Sequence, residues 1–283
     1  MPVSTTVTGM VLSAMPVGEY DKRLVILTKE SGKITAFAKG ARKPNSAFLA
    51  CGQPFAFGEF TLYAGRSSYN IMSAEITNYF GELRNDFEGL CYGFYFCEFA
   101  DYLTKENNDE KDILKLLYQT LRALAKKTIP SVLIRLIYEL KLITLYGEAP
   151  QVFDCIKCKK TSIANNEKTP DSGAYDRYYF SVLNRGILCE ACKWQDKSAI
   201  RINTSTLYTM QYIISREIEK LYTFKVTDEI QKELQYCIRR YLDCYIDHDF
   251  KSLEMLNSFE TGLPAYGSQP LATSSWNCEL LLY

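Results

Sequence analysis

The sequence contains very little histidine, with one residue, His248, among 283. It also lacks the short motifs GxxxxGK[ST], GxGxxG after a strand, HExxH and GxSxG, which mark common catalytic sites. Histidine-based acid–base chemistry would depend on His248 alone, and its position at a predicted helix end is typical of a surface residue. A metal-dependent hydrolase, the enzymatic alternative, needs a converging acidic cluster that the sequence does not display. We therefore predict that the protein is not an enzyme.

Long apolar runs are absent as well. The sequence has no stretch of about 18 apolar residues and no apolar run after a charged N-terminal region. We expect a soluble, cytoplasmic protein with no membrane partner. The formal net charge is zero, which argues against a protein coated in positive charge but allows a local basic face. Residues 1–80 hold eight Lys or Arg against five Asp or Glu, the sign that suits an anionic partner.

Cysteine, in contrast, is abundant, with ten residues. Four of them form two CxxC pairs, Cys155/Cys158 and Cys189/Cys192. A CxxC turn can place two sulfurs along one edge of a zinc tetrahedron, and two such turns complete a closed site of the structural kind. We therefore predict that these four cysteines bind Zn²⁺ as a folding staple. A redox-active pair, which usually lies in a βαβ unit, and two disulfides, which suit secreted proteins, are the alternatives.

The N-terminal residues are predicted to form short strands with glycine-bearing turns. The expected strands are residues 3–12, 22–28, 33–39, 55–64 and 69–74. Five such strands suit a small closed barrel of the OB type, whereas an immunoglobulin-like sandwich, the alternative, usually has about seven.

From residue 85 the pattern becomes helical. Residues 87–105 are aromatic on most faces, which predicts a buried helix, and further helices are expected near 113–124, 131–146, 204–218, 228–246 and 250–256. The predicted fold class is α+β, an N-terminal OB-fold β-barrel followed by an all-helical C-terminal domain with an embedded four-cysteine zinc module. The expected domains are 1–80 (barrel), 81–153 with 200–258 (helical), 154–199 (zinc module) and 259–283 (unassigned tail).

Cations near the ends of the barrel strands are candidate nucleic-acid contacts. OB barrels often bind single strands in a basic groove, which favours this function over the alternative of a solvated loop. The candidate DNA-binding residues are Lys22, Arg23, Lys39, Arg42, Lys43 and Arg66. Weaker candidates beside the cysteines are Lys157, Lys159 and Lys160. The barrel aromatics are expected mostly in the core, and any of them could be a base-stacking residue: Phe37, Phe48, Phe55, Phe57, Tyr63 and Tyr69.

Several segments, taken in order, resemble the bacterial RecO family of DNA repair and recombination mediators over residues 1–258. They are YDKRLV (20–25), AKGARK (38–43), PF (54–55) before a strand ending at Tyr63, AE (74–75), CIKC (155–158), GILCEAC (186–192) and KSL (251–253). Lys43 stands where the family pattern has Arg, and the tail after Glu260 has no counterpart.

The resemblance implies the functions and partners of a recombination mediator. These are binding of single- and double-stranded DNA, annealing of complementary strands, partnership with RecR and contact with the C-terminal tail of single-strand-binding protein (SSB). They also include indirect help in loading RecA and a nucleoid-associated location. The rival hypothesis is an RNA-binding or transcription-associated protein built from an OB barrel and a zinc ribbon, and the order of the segments favours the repair protein.

Overall fold

The structure, a computed structural model, describes residues 4–65, 68–161 and 177–261. The predictions for Arg66 and for the tail from residue 262 lie outside the described residues. The chain divides into two compact units, Met1–Ala149 with Tyr212–Lys225, and Pro150–Gln211 with Val226–Tyr283. The domain boundaries expected from the sequence remain a prediction.

The first unit begins with a closed barrel of five strands. They are β1 (Ser4–Val17), β2 (Asp21–Thr28), β3 (Gly32–Ala38), β4 (Phe57–Ala64) and β5 (Tyr69–Asn78). The strand order is β1-β2-β3-β5-β4, and β4 pairs with β1 to close the barrel. All pairs are antiparallel except the short parallel contact between β3 and β5. This is a five-stranded barrel of the OB kind, so the prediction is confirmed and the sandwich alternative is wrong.

Alternating burial explains these strands. Along β3, the side chains of Ile34, Ala36 and Ala38 point into the barrel core while the residues between them are half-buried. β1 runs five residues further than the predicted end at Leu12, to Val17. Its last residues pair only with β2 and are exposed, so no alternation of burial marks them in the sequence.

Four helices complete the described N-terminal part of the first unit. They are α1 (Gly81–Arg84), α2 (Phe87–Leu103), α3 (Lys111–Lys126) and α4 (Ser131–Tyr146). The aromatic helix α2 is buried on most faces, as predicted. Its Tyr95 hydroxyl donates to the Glu139 carboxylate at 2.7 Å, and Arg135 donates to the same oxygen at 2.7 Å. The buried charges of Arg135 and Glu139 in α4 therefore neutralise each other, as burial requires.

Side chains of the barrel pack directly against these helices. The Phe55 ring, fully buried in the connection before β4, lies 5.3 Å from the Phe94 ring of α2. The Lys33 ammonium on β3 pairs with the Asp101 carboxylate of α2 at 2.8 Å. The barrel and the first helices thus share an apolar core and a polar contact at its edge.

The second unit contains a small antiparallel sheet and helices. The sheet has the order β7-β6-β8, formed by β6 (Tyr178–Ser181), β7 (Gly186–Cys189) and β8 (Ile200–Ile202). The helices α5 (Thr204–Ser215), whose residues from Tyr212 onward belong to the first unit, α6 (Asp228–Tyr245) and α7 (Lys251–Thr261) follow. Thr227, rather than the expected Asp228, caps α6, because its hydroxyl accepts a hydrogen bond from the Ile230 amide. In the part of the chain that the structure describes, no helix has the length and apolar character needed to cross a membrane.

Replacing Gly32 with Ala is expected to destabilise the protein by about 1–3 kcal/mol. Gly32 has a φ of +64°, and an added Cβ would lie 2.3 Å from the Lys105 carbonyl oxygen. Urea unfolding measures the loss as a lower midpoint with an unchanged slope. Gly81→Ala is the matched control, because its Cβ meets nothing within 4 Å. Equal effects of the two substitutions would contradict this account of Gly32.

Candidate metal centre and nucleic-acid interface

The four predicted cysteines come together in the second unit. The sulfur atoms of Cys155, Cys158, Cys189 and Cys192 all lie within 4.8 Å of one another, and those of Cys158 and Cys189 are 3.7 Å apart. A tetrahedral zinc ion with Zn–S bonds of about 2.3 Å separates its sulfurs by about 3.8 Å. Three of the cysteines are buried and Cys158 is exposed. The cluster therefore has the size and donor set of a metal centre.

Backbone hydrogen bonds shape the first cysteine turn, residues 155–158. The Cys155 carbonyl accepts from the Lys159 amide at 2.9 Å, and the Cys155 amide donates to the Lys160 carbonyl at 2.8 Å. The Ile156 amide donates to the Ile187 carbonyl of β7 at 2.9 Å. This bond holds the turn against the strand that delivers the next ligand.

The second cysteine turn, residues 189–192, follows β7 without a break. Cys189 is the last residue of β7, and a 3-10 turn, Glu190–Gln195, carries Cys192. The Cys189 amide points at the Cys155 sulfur, with a nitrogen–sulfur distance of 3.4 Å. The short strand and the 3-10 turn thus bring the second pair of sulfurs to the first.

The thiols of the cluster differ in pKa. Burial acts to raise the pKa of Cys155, but the amides of Cys158, Cys189 and Lys157 stabilise its thiolate and bring the pKa to about 6. Burial, followed by hydrogen bonds with the neighbouring sulfurs, raises the pKa of Cys192 to about 12. Four thiolates this close repel one another unless a cation lies among them. A thiophilic divalent ion such as zinc fits this donor set.

The protein is expected to bind one Co²⁺ ion, a coloured substitute for zinc, with the intense visible bands of tetrahedral thiolate coordination. Cys192→Ser is expected to weaken Co²⁺ binding and shift these bands, because an oxygen replaces one of four sulfurs. Absorbance during a cobalt titration is the measurement. Cys244→Ser is the control, since this half-buried thiol lies outside the cluster. An unchanged spectrum in the Cys192 variant would remove this cysteine from the site.

Candidate DNA contacts meet at one end of the barrel. Lys39 and Lys43 are exposed on the connection after β3 and line a cleft of about 500 Å³ with Tyr20, from the β1–β2 turn. The Lys43 ammonium lies 5.3 Å from the centre of the Tyr20 ring. The Asp21 carboxylate accepts from the Gly40 amide at 2.7 Å, which ties the two walls of the cleft together.

The other predicted cations have different surroundings. The exposed Arg42 donates from its guanidinium to the Gly18 carbonyl at 3.3 Å and from its amide to the Tyr20 carbonyl at 2.8 Å. Lys22 is half-buried, and its ammonium donates to the Gly52 carbonyl at 2.7 Å. Lys22 therefore holds the β3–β4 connection in place, and of these cations it is the one engaged inside the fold.

Arg23 lies on the outer face of the barrel. The strand register places Met15 and Phe37 on either side of it, and its guanidinium is 3.5 Å from the Met15 sulfur. Its direction is opposite to that of Lys22, because neighbouring strand residues point to opposite faces. The outer face of strands 2 and 3 is a common oligonucleotide surface in OB folds.

The aromatic candidates divide between core and surface. Phe55 is fully buried, and the Phe57 ring packs 4.6 Å from that of Tyr118. Phe37 and Phe48 are half-buried, and Phe48 lines the cleft. Tyr20, which belongs to the YDKRLV segment but was not among the predicted stacking residues, is 43% exposed and lines the cleft. The available signal was an aromatic residue in a predicted turn, close in sequence to the cations Lys22 and Arg23.

The strand order defines the barrel of the first unit as an OB fold, a class of barrel in which many members bind oligonucleotides. The family model described as "Recombination protein O N terminal" matches residues 1–80, and "Recombination protein O C terminal" matches residues 84–254. The chain belongs to the RecO family of DNA repair proteins, as the sequence resemblance predicted.

Curated relatives agree with this family. The DNA repair protein RecO of Acetivibrio thermocellus is 30% identical over 252 residues, which cover 89% of this chain and 96% of the relative. The RecO protein of Alkaliphilus metalliredigens is 33% identical over 248 residues, covering 87% and 96%. That of Desulforamulus reducens is 30% identical over 249 residues, covering 88% and 92%.

Proposed function

We propose that the protein is a non-enzymatic recombination mediator in DNA repair. It binds single- and double-stranded DNA, anneals complementary strands and, with RecR, helps RecA to load onto DNA coated with SSB. RecR and the SSB tail as partners rest on the family resemblance. A protein with this function acts at the chromosome, so the proposed location is the cytoplasm, in association with the nucleoid.

The observation that carries the proposed DNA binding is the cationic cleft at the end of the barrel. In the described part of the chain, Lys39 makes no hydrogen bond or ion pair, so its ammonium is available to a phosphate. Lys43 and Tyr20 stand beside it as a cation and an aromatic face. Cations that follow a phosphate backbone next to an aromatic platform bind single strands with little sequence preference.

We propose that the four-cysteine cluster holds a structural Zn²⁺. Four protein ligands leave no open position for a substrate or a reactive water, which separates such sites from catalytic zinc. The ion stabilises the small sheet by joining the two cysteine turns, and its binding energy contributes to folding.

Changing Lys39, Arg42 and Lys43 together to Ala is expected to weaken single-stranded DNA binding. Fewer phosphate contacts mean that fewer counterions are released when the protein binds. The slope of log K against log salt should therefore become shallower by about 2. Fluorescence anisotropy of a labelled oligonucleotide over a series of salt concentrations measures both effects.

The control variant carries Ala at Lys29, Lys105 and Lys126, three exposed lysines away from the cleft. The register pairs Thr28 with Gly32 and Lys22 with Ala38, so Lys29 lies at the opposite end of the barrel from Lys39. Its salt slope is expected to match that of the unchanged protein. Equal losses in the two triple variants would show that the cleft is not the binding site.

Strand annealing tests the mediator function itself. Two complementary oligonucleotides coated with SSB are expected to anneal in the presence of the protein and without ATP, and the cleft variant should slow the reaction. A gel or a fluorescence-transfer assay follows the duplex. The absence of annealing, together with tighter binding to structured RNA than to DNA, would favour the RNA-binding alternative.

A further inference from the structure

Trp194 is the most exposed large hydrophobic side chain among the described residues, at 68%. It lies on the 3-10 turn Glu190–Gln195, two positions after the ligand Cys192. Within the described chain its indole ring makes no hydrogen bond or ring contact. A large aromatic ring held in water on a short, anchored turn is available to stack on a planar ligand.

Exposed lysines lie on the same two segments as the cysteine cluster. The four sulfurs lie within 4.8 Å of one another, so Lys157, in the first cysteine turn, and Lys159, which follows it, belong to the segment that meets the 3-10 turn carrying Trp194. Lys197 follows three positions later. None of these three lysines forms an ion pair in the part of the chain that the structure describes.

The two acids on either side of Trp194 in the sequence, Glu190 and Asp196, are already engaged. The Glu190 carboxylate pairs with Lys193 and accepts from the Tyr179 hydroxyl at 2.8 Å. The buried Asp196 carboxylate accepts from Ser181 at 2.6 Å and from the Ser198 amide at 2.8 Å. These bonds satisfy the carboxylates of Glu190 and Asp196 without using Lys157, Lys159 or Lys197.

Lys159 has an unfavourable backbone conformation. Its φ is +59°, in the left-handed region that favours glycine and costs other residues roughly 1 kcal/mol. The Lys159 amide closes the first cysteine turn on the Cys155 carbonyl, so the conformation is needed. Glycine would satisfy the turn with less strain, so the turn itself does not require a lysine side chain at this position.

We propose that the two cysteine turns form a second binding site for single-stranded nucleic acid. Trp194 stacks on one base, and Lys157, Lys159 and Lys197 contact the neighbouring phosphates. This inference rests on the proposed DNA-binding function and adds a site to it. Cations beside an aromatic face, with no base-edge donors required, are the composition of sequence-independent single-strand sites.

An acidic, apolar peptide is the competing ligand, and the surface favours nucleic acid. A peptide of this kind needs an apolar groove for its side chains. The residues on either side of Trp194 are the exposed, polar Lys193 and Gln195, and the nearby Tyr179 ring is covered by the Lys193 ammonium at 5.4 Å. A single strand offers flat bases and separate phosphates. An exposed aromatic ring with exposed lysines nearby is suited to contact both.

Intrinsic fluorescence tests the site directly. The sequence has two tryptophans, so Trp276→Phe leaves Trp194 as the only indole emitter. Titration of this variant with a single-stranded deoxythymidylate oligomer is expected to quench Trp194, with the midpoint found by anisotropy of the labelled oligomer. The quenching should persist, at higher oligomer concentration, when Lys39, Arg42 and Lys43 are also changed to Ala.

Substitutions separate binding from folding. Trp194→Ala is expected to weaken oligomer binding roughly 5-fold or more, and Tyr236→Ala, an exposed aromatic of α6, should leave it unchanged. Lys159→Gly is expected to weaken binding while keeping or raising the thermal midpoint, because it removes both a cation and the backbone strain. Lys232→Ala, an exposed lysine of α6, is the matched control for charge.

The outcomes distinguish this inference from the proposed function. If the oligomer binds by anisotropy but Trp194 fluorescence does not change, the second site is wrong and the DNA-binding function stands. If the oligomer does not bind at all, both are wrong. Quenching by an acidic, apolar peptide but not by the oligomer would also overturn the inference and assign the surface to a protein partner.

Discussion

β1 pairs with two neighbouring strands, and the closure of the barrel depends on this double pairing. It pairs with β4 over Ser4–Met10 and with β2 over Gly9–Val17, so the two registers overlap at Gly9 and Met10. A Cβ at Gly9 would lie 2.6 Å from the Leu27 carbonyl oxygen, which explains why a glycine stands at the overlap. Beyond it, β1 continues with β2 into the turn that carries Tyr20. The strand that closes the barrel therefore also builds one wall of the cationic cleft.

A second constraint acts on the other unit, where the strands are short. The sheet β7-β6-β8 is built from strands of three or four residues, and small isolated sheets are marginal in water. The four-cysteine cluster brings the sulfurs of residues 155, 158, 189 and 192 within 4.8 Å of one another, and the Zn²⁺ proposed for it would join the two cysteine turns. The turns that supply the sulfurs also carry the exposed lysines and Trp194. The residues that form the cluster are therefore also the ones that position these exposed side chains.

The sequence predicted those features that leave a local pattern. The alternation of apolar and polar residues located the barrel strands to within about five residues. The CxxC spacing identified all four clustered cysteines. The β3–β5 contact was not predictable, because it joins only two residue pairs that are distant in sequence. β7 was missed because its four residues are all buried and show no alternation. The role of Lys22 depends on the Gly52 carbonyl, thirty residues away, so no nearby residue indicates it.

The packing of Phe55 limits whether the barrel can be separated from the helices that follow it. A Cβ on Gly93 of α2 would lie 2.9 Å from the tip of the Phe55 ring. The ring therefore packs closely against the α2 backbone at this glycine. A fragment ending at residue 80 would expose the Phe55 ring to water and would lose Asp101, the ion-pair partner of Lys33. The β-barrel therefore depends on α2 for part of its core. Exchange of barrels between homologous chains should succeed only when α2 is exchanged together with the barrel.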